Sequence, residues 1–120
     1  MEKLTKNFSR EELACKCGCD KCDMTDTFLK ALQHLRDIVK FPLIVNSGYR
    51  CDKHNRAVGG AMSSKHKLGQ AADLDLTSLS PHQVQTLLEA IKLVPEIKGV
   101  GVAKSFVHID TREFPAEWKY

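Results

Sequence analysis

The sequence predicts an α+β fold, a small antiparallel sheet with flanking helices, and three observations carry that prediction. Apolar residues recur at helical spacing in two stretches, first Phe28, Leu32, Leu35 and Val39, then Val84, Leu87, Leu88 and Ile91. Residues 71–76 and 106–110 alternate instead at the period of a strand. The order is helix, strand, long loop, strand, helix, two strands. That order lacks the strict strand–helix alternation that builds a parallel sheet.

Each element has its own signal. Ser9 and Glu12 form a capping box, and Phe8 and Leu13 flank it as a hydrophobic staple. This first helix is short, because Cys17-Gly18-Cys19-Asp20 is turn chemistry. A second helix runs from about Thr25 to Lys40 and is ended by Phe41-Pro42. Leu43-Ile44-Val45 reads as a buried strand leading into Asn46-Ser47-Gly48. Residues 49–68 have no clear period, and a loop of that length in a small domain is usually functional. In the next strand Ala72, Leu74 and Leu76 share one face, and Asp73 and Asp75 the other. Ser80-Pro81-His82-Gln83 starts the third helix with cap, proline and box. Residues 99–102 and 106–110 form a hairpin around Ala103-Lys104-Ser105.

With 120 residues the chain is expected to be one domain spanning 1–120. An apolar fraction of 42%, with seven Gly and four Pro, excludes collagen-like and disordered classes. A net charge of +3 suits an anionic surface such as a cell wall and falls short of a nucleic-acid signature, so no nucleic-acid partner is expected. The first seven residues lack the apolar stretch of a signal peptide. The longest apolar run, 41–45, contains Pro42, so no membrane span is expected. The chain is therefore expected to be cytoplasmic as synthesised, or to leave the cell by a route the sequence does not encode, and a monomer is the expected state.

The polar strand faces are where chemistry can sit. Asp73 and Asp75 share one face, and His108 and Asp110 share another, with Val107 and Ile109 opposite. If the strands are neighbours, these groups line one cleft, with His66 at the end of the loop that enters it. Two imidazoles and a carboxylate make a three-ligand zinc set with a fourth position open to water. The plain alternative is the solvent face of an antiparallel sheet.

Ser64-Lys65-His66-Lys67-Leu68-Gly69-Gln70-Ala71-Ala72-Asp73 matches the pattern S-x-H-x-x-G-x-A-x-D. Ser47-Gly48-Tyr49-Arg50 precedes it, Asn55 and Gly59-Gly60 lie between, and Phe106-Val107-His108-Ile109-Asp110 follows. Over residues 7–112 this resembles the M15 zinc peptidases, the D-alanyl-D-alanine carboxypeptidases, dipeptidases and phage endolysins that cut peptidoglycan stems. The resemblance implies the fold those enzymes share with hedgehog signalling domains. It implies a Zn2+ cofactor held by His66, Asp73 and His108, with Arg50 as the cation for the developing oxyanion or the substrate carboxylate. It also implies a peptidoglycan peptide substrate and a bacterial or bacteriophage origin. Ser64 either hydrogen-bonds substrate or shapes the turn, and Tyr49 stands at the cleft wall. Gly69 serves a backbone conformation. Asp75 is either a partner of the ligands or a solvated strand residue, and His34, His54 and His82 read as surface or structural residues.

One departure matters. Many family members place an acidic general base three residues before the last zinc histidine, where this chain has Ser105. Asp110 is the candidate replacement, with pairing to Arg112 as the plain alternative. The rival to a peptidase is therefore a non-catalytic binding module of the same fold.

Five cysteines complete the inventory: Cys15, Cys17, Cys19 and Cys22, and Cys51 directly after Arg50. The alternatives are a structural metal, disulfides including one to Cys51, or free thiols. The spacing 15, 17, 19 converges only in a sharply turned loop, which Gly18 would help. Lys16 and Lys21 lack the exposed aromatic partner of a nucleic-acid-binding knuckle.

Overall fold

The computed structural model describes residues 2–19 and 21–120 of the chain. Ser9 caps α1 (Arg10–Leu13) through the expected box, its backbone N–H donating to Glu12 and its hydroxyl accepting from the Glu12 N–H. Thr25 caps α2 (Asp26–Val39), which ends at Lys40 in the left-handed region. β1 (Val45–Ser47) lies two residues later than the Leu43-Ile44-Val45 run suggests. β2 (Ala71–Asp75), α4 (Pro81–Ile91), β3 (Gly99–Val102) and β4 (Phe106–Asp110) follow as the sequence predicts.

Two elements escape the sequence reading. Residues 49–68 hold a short helix, α3 (Asp52–Ala57), whose N-cap is the Cys51 sulfur accepting from the His54 N–H. Five polar residues and an alanine with an unusual cap give no periodicity to detect. The second is β5 (Ala116–Lys119), which pairs with β3 in parallel. The α+β architecture stands, but the five-stranded sheet is mixed, in the order β1-β2-β4-β3-β5, rather than wholly antiparallel.

The back of this sheet is the core. Leu74, Val107 and Ile109 join Phe28, Leu32 and Leu35 of α2 and Leu87 and Ile91 of α4 in one buried cluster. Full burial of each such side chain is worth about 1.5–3 kcal/mol, so register is fixed from behind. Because strand residues alternate, that register commits the front face too. No helix among the described residues is long and apolar enough to cross a membrane.

Gly69 closes the loop that leads to β2. Its φ is +69°, its carbonyl accepts from the Thr25 N–H, and a Cβ there would overlap the Asp23 carbonyl oxygen. Gly59 has a similar φ of +73° with open space around it. Gly69→Ala is therefore expected to cost about 2–5 kcal/mol, of which the left-handed conformation accounts for ~1–2 and the steric overlap for the rest. Gly59→Ala should cost only the conformational part, and urea midpoints of the two variants against the wild type check the difference.

Candidate metal centre

Strand register carries one residue from each strand into a single row across the front of the sheet: Ser47, Asp73, His108, Gly101 and Trp118. Gly101 keeps the row low, since a Cβ there would overlap the Trp118 indole. His66 is delivered over the row by the turn before β2, where the Ser64 hydroxyl accepts from its backbone N–H.

Three ligand-type atoms meet there. His66 Nε2 lies 3.2 Å from Asp73 Oδ1 and 3.2 Å from His108 Nδ1, and His108 Nδ1 lies 3.0 Å from Asp73 Oδ1. Each imidazole is held from behind at its other nitrogen. The Gly48 carbonyl, 2.8 Å from His66 Nδ1, can only accept, so His66 carries its proton on Nδ1. Asp110 Oδ2, 2.7 Å from His108 Nε2, likewise places the His108 proton on Nε2. Two imidazole lone pairs and a carboxylate oxygen thus face one point, an arrangement that repels itself unless a cation sits among them.

The donor set fits a metal ion. Nitrogen and oxygen ligands at about 2.0–2.2 Å from a tetrahedral ion stand about 3.3–3.6 Å apart, slightly wider than the separations observed. Without a cation only a proton can relieve that repulsion, and the titrations follow from an imidazole that takes one up toward Asp73. Burial acts to raise the Asp73 carboxyl, but hydrogen bonds with His108 and His66 hold it well below the usual carboxylate range. Burial acts to lower the His108 imidazole, and its hydrogen bonds with Asp110 and Asp73 outweigh that and move it up.

Arg50 stands next to the three atoms. Its Nη2 donates to Asp73 Oδ2 at 3.4 Å, its Nε to the Ser47 hydroxyl at 3.1 Å and its Nη1 to Asn55 Oδ1 at 3.3 Å. Asn55 is itself buried and tied to the Ala61 carbonyl, and a Cβ at Gly60 would overlap its amide. The guanidinium is thus aimed by three side chains.

Asp110 sits beneath this layer. It is 0% exposed, and both its oxygens are engaged: Oδ2 by His108 Nε2 and Arg112 Nη2, Oδ1 by the Arg112 N–H and Nε. A Cβ at Gly99 would overlap its carboxylate, so the glycine makes the space it occupies. Burial acts to raise the Asp110 carboxyl, but the Arg112 and His108 bonds hold it low. Asp110 therefore supports His108 from behind and presents no oxygen to the cleft. Ser105 is exposed in the turn before β4. Asp75 turns away to accept from Thr77 and Ser78.

An open cleft of about 570 Å³ lies over the row, lined by Arg50, Ser64, His66, Asp73, His108 and an aromatic wall. That wall is Phe106, Trp118 and Tyr120, with the Trp118 ring 5.3 Å from His108 and Arg112 stacked 4.9 Å over the indole. Sequence reasoning missed Trp118 and Tyr120, although Ala116, Trp118 and Tyr120 alternate with Glu117 and Lys119 as a strand face would. Tyr49 lines a neighbouring groove instead, together with Cys17, Cys19 and Cys51. Cys15, Cys17, Cys19 and Cys51 gather there, and Cys22 packs against the core outside the cluster.

No curated protein matches the chain. The Peptidase M15 family matches it over residues 5–110, a span that contains α1 to β4 and every residue of the His66, Asp73 and His108 constellation. M15 members are metallopeptidases, and the geometry described above is a metal-competent cleft. The chain belongs to the peptidase M15 family.

Proposed function

We propose that this chain is a zinc metallopeptidase that hydrolyses peptidoglycan stem peptides at bonds involving D-amino acids, and that it acts on the cell wall after release from a bacterial or phage-infected cell. The observation that carries the reading is the convergence of His66 Nε2, Asp73 Oδ1 and His108 Nδ1 beside Arg50 on the floor of an open cleft. His66, Asp73 and His108 would hold the zinc, which when bound supplies a Lewis acid and a water of near-neutral pKa. Arg50 binds negative charge, either a substrate carboxylate or the oxygen that becomes an oxyanion during hydrolysis. Phe106, Trp118 and Tyr120 exclude water and present an apolar wall to the peptide. The D-amino-acid preference is supported by the likeness of Ser47–Arg50 and Ser64–Asp73 to wall-peptide carboxypeptidases and endolysins.

Asp110 acts on the reaction through His108. It fixes the tautomer that turns the His108 Nδ1 lone pair toward the metal, and Arg112 keeps Asp110 charged. Asp110→Asn is expected to weaken zinc binding by about 10–100-fold. A chelator competition titration checks this, and excess zinc should restore most of the activity. Activity that stays low when the variant is fully zinc-loaded would instead make Asp110 a direct participant.

A specific observation favours a second reading, a zinc-containing module that binds wall peptides without cutting them. Among the described residues lining the cleft, Asp73 is the one carboxylate; it is paired with Arg50 and would be taken up by the metal. The two readings part on one experiment. Zinc-loaded protein is incubated with purified peptidoglycan fragments, and newly released amino groups are measured. Release that stops on chelation supports the peptidase, and inert zinc-loaded protein that still binds the fragments supports the module.

A further inference from the structure

The N-terminal segment and the segment after Arg50 bring four thiols together outside the cleft. The sulfur atoms of Cys15, Cys17, Cys19 and Cys51 all lie within 4.8 Å of one another. Cys15 Sγ is 3.4 Å from Cys17 Sγ and 3.7 Å from Cys51 Sγ, and Cys17 Sγ is 3.6 Å from Cys51 Sγ. A disulfide requires about 2.05 Å. Thiolates bound about 2.3 Å from a tetrahedral ion stand about 3.8 Å apart, which is the spacing these sulfurs approach. Three sulfurs near tetrahedral separation with a fourth within 4.8 Å are more than pairing chemistry needs.

We propose that Cys15, Cys17, Cys19 and Cys51 hold a structural zinc ion in a closed four-thiolate site, separate from the His66, Asp73 and His108 centre. The surroundings are built for charged sulfur. The Cys51 N–H points at Cys15 Sγ at 3.5 Å, and the His54 N–H at Cys51 Sγ at 3.4 Å. Gly18, at φ +90°, makes the sharp turn that lets positions 17 and 19 converge. Lys21, Lys53 and Arg56 line the adjoining groove beside an Asp52–Lys67 ion pair and offset the excess negative charge of four thiolates on a divalent ion. With all four positions taken by sulfur no place is left for water, so the ion is structural and has no catalytic role.

The site explains why a cysteine follows Arg50. Cys51 caps α3, the helix that carries Asn55, and the Leu13 carbonyl accepts from the Tyr49 N–H at 2.8 Å. A metal bridging residues 15–19 to Cys51 would pin the arginine segment to the N-terminal segment at the residue next to Arg50. The proposal stands whether the cleft is catalytic or only binds.

The test is zinc content and cobalt substitution on protein purified under reducing conditions. Wild type is expected to hold two zinc ions per chain, Cys19→Ser one and His66→Ala one, while Cys22→Ser keeps both. Cobalt-loaded wild type and His66→Ala should show intense thiolate-to-cobalt charge-transfer absorption, and Cys19→Ser should lose most of it. A Cys19→Ser chain with the wild-type zinc count overturns the proposal, as does a disulfide among the four in reduced protein or iron in place of zinc. Should Cys19→Ser fail to fold, the cobalt spectrum of His66→Ala decides alone, and absence of charge transfer there overturns the site.

Discussion

His108→Ala will empty the cleft of metal and take peptide hydrolysis below detection while leaving the fold in place. His108 occupies the centre of the front row, between Asp73 and Gly101, and supplies one of three converging lone pairs. Its removal leaves two ligands, and it strands Asp110, whose Oδ2 then keeps only Arg112. The loss should exceed the roughly 10²–10³-fold that one missing oxyanion donor costs, because the Lewis acid itself departs. The core is untouched, since Val107 and Ile109 point to the other face. Circular dichroism and a urea titration should therefore show a folded chain, with zinc analysis showing the deficit. Wild-type turnover in a metal-depleted His108→Ala chain would remove the metal from the account.

Arg50→Lys is expected to keep its zinc and lose on the order of a hundredfold or more in kcat/KM. The guanidinium donates in three directions at once, to Ser47, Asn55 and Asp73, and a lysine ammonium cannot reproduce that planar fork. How the loss divides identifies the charge being bound. A fall in kcat points to an oxyanion that exists only at the transition state, whereas a rise in KM alone points to a ground-state carboxylate. Unchanged turnover of a D-alanine-terminated peptide would take Arg50 out of the reaction.

Asp73 and His108 were legible because they lie on strands whose backs are apolar, whereas the roles of His66 and Arg50 came from the motif resemblance. Alternation in 71–76 and 106–110 commits Asp73 and His108 to one face, and core packing of Leu74 and Val107 makes them register partners. The capping boxes at Ser9 and Ser80 were equally plain, since a cap is a local event. What stayed hidden was the degree of burial, and elements too short to carry a period. The sequence offers the Asp110–Arg112 pairing as an alternative but does not announce that the carboxylate will be fully enclosed, because a free carboxylate and a buried one look alike in a strand. Trp118 reaches the cleft only through parallel pairing of β5 with β3, and a four-residue edge strand carries little signal of its own. The helix α3 is too short and polar to show a period, and its order comes from a sulfur cap and from Asn55 gripping the Ala61 carbonyl.

The most direct measurement of the central claim is a crystal structure of the zinc-loaded chain with anomalous data collected at the zinc edge. The account predicts an anomalous peak bonded to His66 Nε2, Asp73 Oδ1 and His108 Nδ1, with Arg50 beside it and Asp110 still hydrogen-bonded to His108 Nε2. A cleft without a peak in zinc-saturated crystals, or an ion ligated through Asp110 in place of Asp73, would contradict it.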